Sequence, residues 1–254
     1  MLRLWLVFDQ GLAGRRVEQW AESPVFYCQR VNSALFGLRS ALVQGDPEKQ
    51  DPIQERIRAR AIWIYENVAA KVAPQLLTLI QRTDLSQSEQ ADIETALRIL
   101  DQIASQIYFA SGAFEEQKQA GEEPNPAVTD QRVRSRFLQE LTPTFEVLAG
   151  VPYPSITHYL LQTLEFLIAE NPPLVFRIMT DALVQGGRNG QYQFESLGVE
   201  IFVRMIRRYL ADFRGALTQS EDLRQRLMQA LDIFVEAGWP AARRLVYDLP
   251  EMLR

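Results

Sequence analysis

At 254 residues the chain exceeds the usual size of one compact core, so it forms either two small helical domains or one elongated array. Hydrophobic residues at 47% and charged residues at 23% exclude intrinsic disorder, and Arg, Gln, Glu or Asp cuts every apolar stretch short of the roughly 18 residues that a membrane span needs. The formal net charge of -5 opposes general attraction to phosphate backbones and leaves a local basic face as the route to a nucleic acid.

The chain opens with Leu2, Leu4, Trp5, Leu6, Val7 and Phe8. Asp9 and Gln10 end this run without a small-residue cleavage site, so it belongs to structure rather than to a signal peptide. So apolar a segment needs a cover, and Trp5 and Phe8 are candidates for docking against a partner. One helical segment is expected within the first twenty residues, punctuated by Gly11 and Gly14. The next starts at Ser23 and Pro24 and runs through Tyr27, Val31, Leu35 and Leu38 to a turn at Gly45 and Asp46.

Asp51 followed by Pro52 is a polar cap with proline at the first helical position, and Ile53, Ile57, Ile64, Val68 and Val72 continue it as one stripe. Pro74 is expected to break or kink that helix. From Ser88 onward Ile93, Leu97, Leu100, Ile103, Ile107 and Phe114 fall on one side, which predicts a helix of about eight turns.

Residues 119–130, with Gly121, Glu122, Glu123, Pro124, Asn125 and Pro126, have no apolar period and form the expected linker or loop. They separate an N-terminal helical region, residues 1–118, from a C-terminal one, residues 131–254. In the latter, Val133, Phe137, Leu141, Phe145 and Leu148 form a stripe that Pro143 should bend. Pro154 opens a helix bearing Ile156, Leu160, Leu164, Leu167 and Ile168, and Pro172 and Pro173 open another bearing Val175, Ile178, Met179 and Leu183. Gly186, Gly187 and Gly190 predict a loop. A single helix is then expected from Glu195 to Leu217, and Ser220 caps a further one carrying Leu223, Leu227, Leu231 and Phe234.

The fold class is therefore all-α, antiparallel helical pairs arranged as an irregular α-solenoid or a bundle. Helix pairs recur about every 40 residues in the second half, with proline near helix starts at Pro154, Pro172 and Pro240. In this respect residues 128–249 resemble a HEAT or armadillo array, a resemblance of architecture that transfers no functional residue.

No reaction is named by any motif. One histidine, His158, and one cysteine, Cys28, cannot make a four-ligand zinc site or the paired Glu-x-x-His of a di-iron bundle. A single cysteine also forms no intrachain disulfide, so a cytoplasmic location is the default. Neither glycine group is followed by the Lys and Ser/Thr of a phosphate-binding loop. No catalytic residue, metal ligand or cofactor is assigned.

The 24 arginines against three lysines, Lys49, Lys71 and Lys118, suit bidentate ion pairs and interfaces, and codon bias gives the same excess. Between Glu195 and Leu217, Arg204, Arg207, Arg208 and Arg214 fall opposite Phe202, Ile206, Tyr209, Phe213 and Leu217. Those four arginines form the candidate partner-binding face, and Arg56 with Arg60 and Arg132 with Arg136 are smaller pairs of the same kind. The functional expectation is a non-catalytic scaffold or adaptor with a protein partner or a second copy of itself. The alternatives are a nucleic-acid-binding protein using arginine faces and an enzyme with a carboxylate–arginine cleft.

Overall fold

The computed structural model describes residues 19–43, 51–118, 130–188, 197–240 and 243–247, and among these every regular element is helical. No helix among the described residues is long and apolar enough to cross a membrane. Contacts group the chain into two compact units, residues 1–148 and 149–254. The division falls after the helix that follows the expected linker, and residues 119–129 themselves lie outside the described residues.

The first unit contains α1 (Cys28–Leu38) with a 3-10 turn at Arg39–Val43, α2 (Pro52–Ile80), α3 (Gln87–Ser111), α4 (Ala113–Lys118) and nearly all of α5 (Gln131–Ala149). Ser23 and Pro24 lie in a turn ahead of α1, which begins only at Cys28. Asp51 caps α2 as expected, its carboxylate accepting from the Ile53 N–H at 2.9 Å. α3 starts with a full capping box: Ser86 Oγ accepts from the Glu89 N–H at 3.3 Å, and the Glu89 carboxylate accepts from the Ser86 N–H at 2.8 Å. It ends at Gly112, whose φ of 94° is open to glycine at little cost.

Two prolines are accommodated without breaking a helix. Pro74 and Pro143 both lie inside continuous helices, α2 and α5. Each removes one donor, and the carbonyls so freed belong to Ala70 and Gln139, both exposed residues. Thr78 Oγ donates to the Pro74 carbonyl at 2.8 Å, and Thr142 Oγ to the Leu138 carbonyl at 2.7 Å, so neighbouring hydroxyls engage carbonyls of the same turns.

α2 and α3 pack along each other, with α1 and the 3-10 turn against α3. The core takes Ile57, Ile64, Val68 and Val72 from α2 and Leu100, Ile103 and Ile107 from α3. Ile53 lies in solvent, and Ile93 and Leu97 are half-buried, while Ala96 and Ile99 go fully inside. Tyr65 is buried and its hydroxyl donates to the Leu35 carbonyl at 2.7 Å, which fixes α2 against α1. Burial also pushes the Tyr65 phenol well above its ordinary value.

The second unit contains α6 (Pro154–Phe166), α7 (Pro172–Arg188), α8 (Leu197–Asp212), α9 (Arg214–Gln219) and α10 (Glu221–Glu236). The most extensive packing joins alternate helices, α6 to α8 and α7 to α10. The predicted apolar stripes of α6, α7 and α10 are all buried. Gly186 and Gly187 are not a loop but the last turn of α7, because Gly187 sits under Ile233 of α10: a Cβ there would lie 2.9 Å from the Ile233 Cγ2. The helix expected from Glu195 to Leu217 is two helices. Phe213 leaves the helical region at φ -124° just ahead of Gly215, and α9 then buries Leu217 on its own axis.

Tyr65→Phe should lower the stability of the first unit by about 1 kcal/mol, since it leaves the buried Leu35 carbonyl without its donor. Urea unfolding followed by far-UV circular dichroism measures the change, and an unaltered midpoint would contradict the role given to this bond.

Candidate functional site

The arginine face predicted on α8 stays at the surface, and two of its arginines pair with groups of their own unit. Arg204 makes a two-pronged pair with Glu165 of α6, Nε to Oε1 and Nη2 to Oε2, both at 2.5 Å. Hydrogen bonding to that carboxylate raises the Arg204 guanidinium above its ordinary value. Arg208 donates to the Glu165 carbonyl oxygen at 3.2 Å and lies 3.7 Å from the Asp212 carboxylate. Sequence spacing pairs Arg204 with Glu200, but Glu165 lies 39 residues away and is invisible to any helical period. Arg207 remains exposed on α8, and Arg214 lies on α9, so the four do not share one helix. Trp5 and Phe8 lie outside the described residues.

A second set of charges converges in the first unit, and it includes Arg136, which sequence spacing pairs with Arg132 and which the structure joins to Glu55 and Glu140. Arg58 of α2 is 1% exposed, and its Nε donates to Glu140 of α5 at 2.6 Å. Arg136 of α5 donates to the same Glu140 at 2.8 Å and forks onto both oxygens of Glu55 on α2. Burial pulls the Arg58 guanidinium down, against the opposing pull of its bond to Glu140. The bond from Arg136 holds the Glu55 carboxyl below the usual carboxylate range. Two cations and two anions neutralise one another here, and every carboxylate in the set is already engaged by an arginine. The arrangement clamps α5 to α2. Only Arg136 with Glu140 carries an i, i+4 signal in sequence.

His158 and Cys28 are poorly placed for proton transfer or nucleophilic attack. His158 Nδ1 is buried with no hydrogen-bond partner among the described residues, its ring stands edge-on to Tyr159 at 5.8 Å, and burial pulls its pKa down. Burial pushes the half-buried Cys28 thiol up, which disfavours the thiolate, and the nearest donor is the Asn32 amide at 3.6 Å. Among the described residues no group of three or more His, Cys, Asp or Glu gathers in a way that could hold a metal ion.

Among the described residues the first unit holds a groove between the end of α2, the start of α3 and the turn before α1. Its volume is about 370 Å³. Val25, Leu76, Leu79 and Ala96 supply its aliphatic lining, and Gln75, Thr78 and Asp92 its polar side chains. Phe26, next to Val25, is 81% exposed. Comparison with family models, with curated proteins and with solved structures finds no match to this chain.

Glu140→Ala should destabilise the protein by about 3 kcal/mol or more, because it leaves the buried Arg58 charge without its counter-ion. Arg58→Met with Glu140→Gln removes the charge together with its partner and should cost less than half as much, a contrast that chemical denaturation of both variants measures. If the two lose equal stability, the clamp is not electrostatic.

The lowered pKa of Glu55 has a definite pH consequence. Its contribution is complete above the ordinary carboxylate pKa of about 4.3 and is lost as pH falls through the depressed folded value. Thermal unfolding of the wild type and of Glu55→Gln should therefore differ most at neutral pH and converge as the pH is lowered towards 2. A gap independent of pH would remove Glu55 from the pairing.

Proposed function

We propose that this chain is a non-catalytic helical scaffold or adaptor that works by binding other proteins, and that its second unit is a short stack of helix pairs of the HEAT or armadillo kind. The packing of α6 on α8 and of α7 on α10 supports the architectural part, since stacked repeats put equivalent helices of successive pairs in contact. The observation that carries the functional part is on α10. Met228 is 56% exposed and Val235 48% exposed, two turns apart along one edge of the buried stripe that Leu223, Leu227, Leu231 and Phe234 form on α10. A helix that has already buried one full stripe presents a second, narrower apolar line to solvent, and a partner surface is the natural cover for it.

Nucleic-acid binding through arginine faces gains less support, because Glu165 and Asp212 already engage Arg204 and Arg208. The clamp of Glu55, Arg58, Arg136 and Glu140 serves a carboxylate–arginine enzyme poorly for the same reason: its groups are matched to one another.

Met228→Glu combined with Val235→Glu tests the scaffold reading. Both side chains are exposed, so the circular dichroism spectrum and melting temperature should stay near wild type. The wild-type chain isolated from its native cell should carry partner-dependent or concentration-dependent mass in light scattering, and the double variant should lose it. A wild type that is strictly monomeric and partnerless, or a variant that keeps all of the extra mass, would overturn the proposal.

A further inference from the structure

We infer that the groove between α2 and α3 is a docking site for a basic, amphipathic helix of a partner protein, one that inserts two or three aliphatic side chains and sets a Lys or Arg against Asp92. The inference rests on the scaffold reading but concerns another unit and other residues than α10.

The floor decides the class of ligand. Val25, Leu76, Leu79 and Ala96 are all aliphatic, and beside Asp92 the polar side chains that line the groove are the uncharged Gln75 and Thr78, whose hydroxyl already donates to the Pro74 carbonyl. A metabolite bearing phosphate, carboxylate or several hydroxyls would lose most of its hydration there, with no cation among the lining residues to replace it. Aliphatic side chains lose none, and a volume of about 370 Å³ holds a few of them. Two exposed apolar residues neighbour the lining in sequence, Phe26 beside Val25 at 81% exposure and Ile80 one helical turn after Leu76 at 39%. A concavity flanked by α2 and α3 suits an incoming helix, which offers apolar residues at i, i+3, i+4 and i+7.

The charge on the lip decides the sign of the partner. Asp92 is exposed on the first turns of α3 and makes no ion pair among the described residues. The nearby Glu89 differs, because Arg82 and the Ser86 backbone already satisfy it. Arg82 is spent on Glu89 and Asp84, so it offers little to an acidic ligand. The charge available at the lip is therefore negative, and an acidic helix would meet it with like-charge repulsion while a basic one gains an ion pair.

Fluorescence polarisation with the full chain and two labelled helical peptides tests this. Both peptides carry Leu at i, i+4 and i+7; one has Lys and the other Glu on the flanks. The Lys peptide should bind saturably and at least tenfold more tightly than the Glu peptide, with a preference that shrinks as salt is added. Asp92→Lys should reverse the preference, and Thr78→Arg, an exposed substitution that projects a charged chain over the aliphatic floor, should abolish binding of both. No saturable binding by the wild type, binding unaffected by Thr78→Arg, or a preference unchanged by Asp92→Lys each overturns the inference. Self-association of the wild type that Thr78→Arg abolishes would also overturn it, by making a second copy the occupant. Failure of the peptides alongside loss of partner mass in the α10 double variant would end the groove inference and leave the scaffold reading standing.

Discussion

A guanidinium sealed inside a helical unit constrains everything packed around it. Arg58 is among the largest fully buried side chains of the protein, and a charge in that position is tolerable only if a carboxylate reaches it. Glu140 meets the need from a helix 82 residues further along the chain, and it is held for that task by Arg136, itself anchored on Glu55. Hydrophobic contact has no direction, and by itself it allows a helix to slide or rotate by a fraction of a turn. The four-membered charge set has direction. Two turns further along α2 from Arg58, the Tyr65 bond to the Leu35 carbonyl fixes α1 against the same helix.

The second unit uses the same device with exposed groups. Arg204 and Glu165 join α6 to α8, while Arg226 reaches Asp181 of α7 and Asp222 of its own helix, joining α7 to α10. These are the two pairs of helices with the most extensive apolar packing. Tyr209 adds a cross-link between the layers, its hydroxyl donating to the Pro172 carbonyl at 2.7 Å and its ring standing edge-on to Phe176 at 4.8 Å. Exposed pairs contribute little stability singly, so their effect lies in setting register rather than in holding the unit together.

Helical periodicity made the class of fold and most of the buried stripes legible, because burial on one side of a helix forces apolar residues into a spacing of three and four. The caps at Asp51 and Ser220 were equally legible, since they depend on local chemistry. Local reasoning failed where a tertiary contact overrode it. Pro74 and Pro143 mark turns that lose one hydrogen bond, but that the helix continues through them is not written in the nearby sequence. Gly187 looks like a helix end until Ile233 is known to press on it from α10. For the candidate sites the gap is wider: Arg204 to Glu165, Arg58 to Glu140 and the walls of the groove all join residues many turns apart, with no motif linking them.

Taken with the excess of arginine over lysine, these contacts change where recognition is to be sought. An arginine fork can engage a carboxylate with two parallel bonds and so lock the angle between two helices, which a lysine ammonium cannot do. Arg136 and Arg204 are used in that way, and Arg58 and Arg226 also bond a carboxylate of a neighbouring helix of their unit. Arginines so paired are less available to a phosphate or an acidic partner. Apolar side chains without such partners stand beside them: Phe26 and the aliphatic groove in the first unit, Met228 and Val235 in the second. Burying them against a partner removes apolar surface from water without first breaking an internal ion pair, so contact at these places is opposed by less desolvation than contact at any of the arginine clusters.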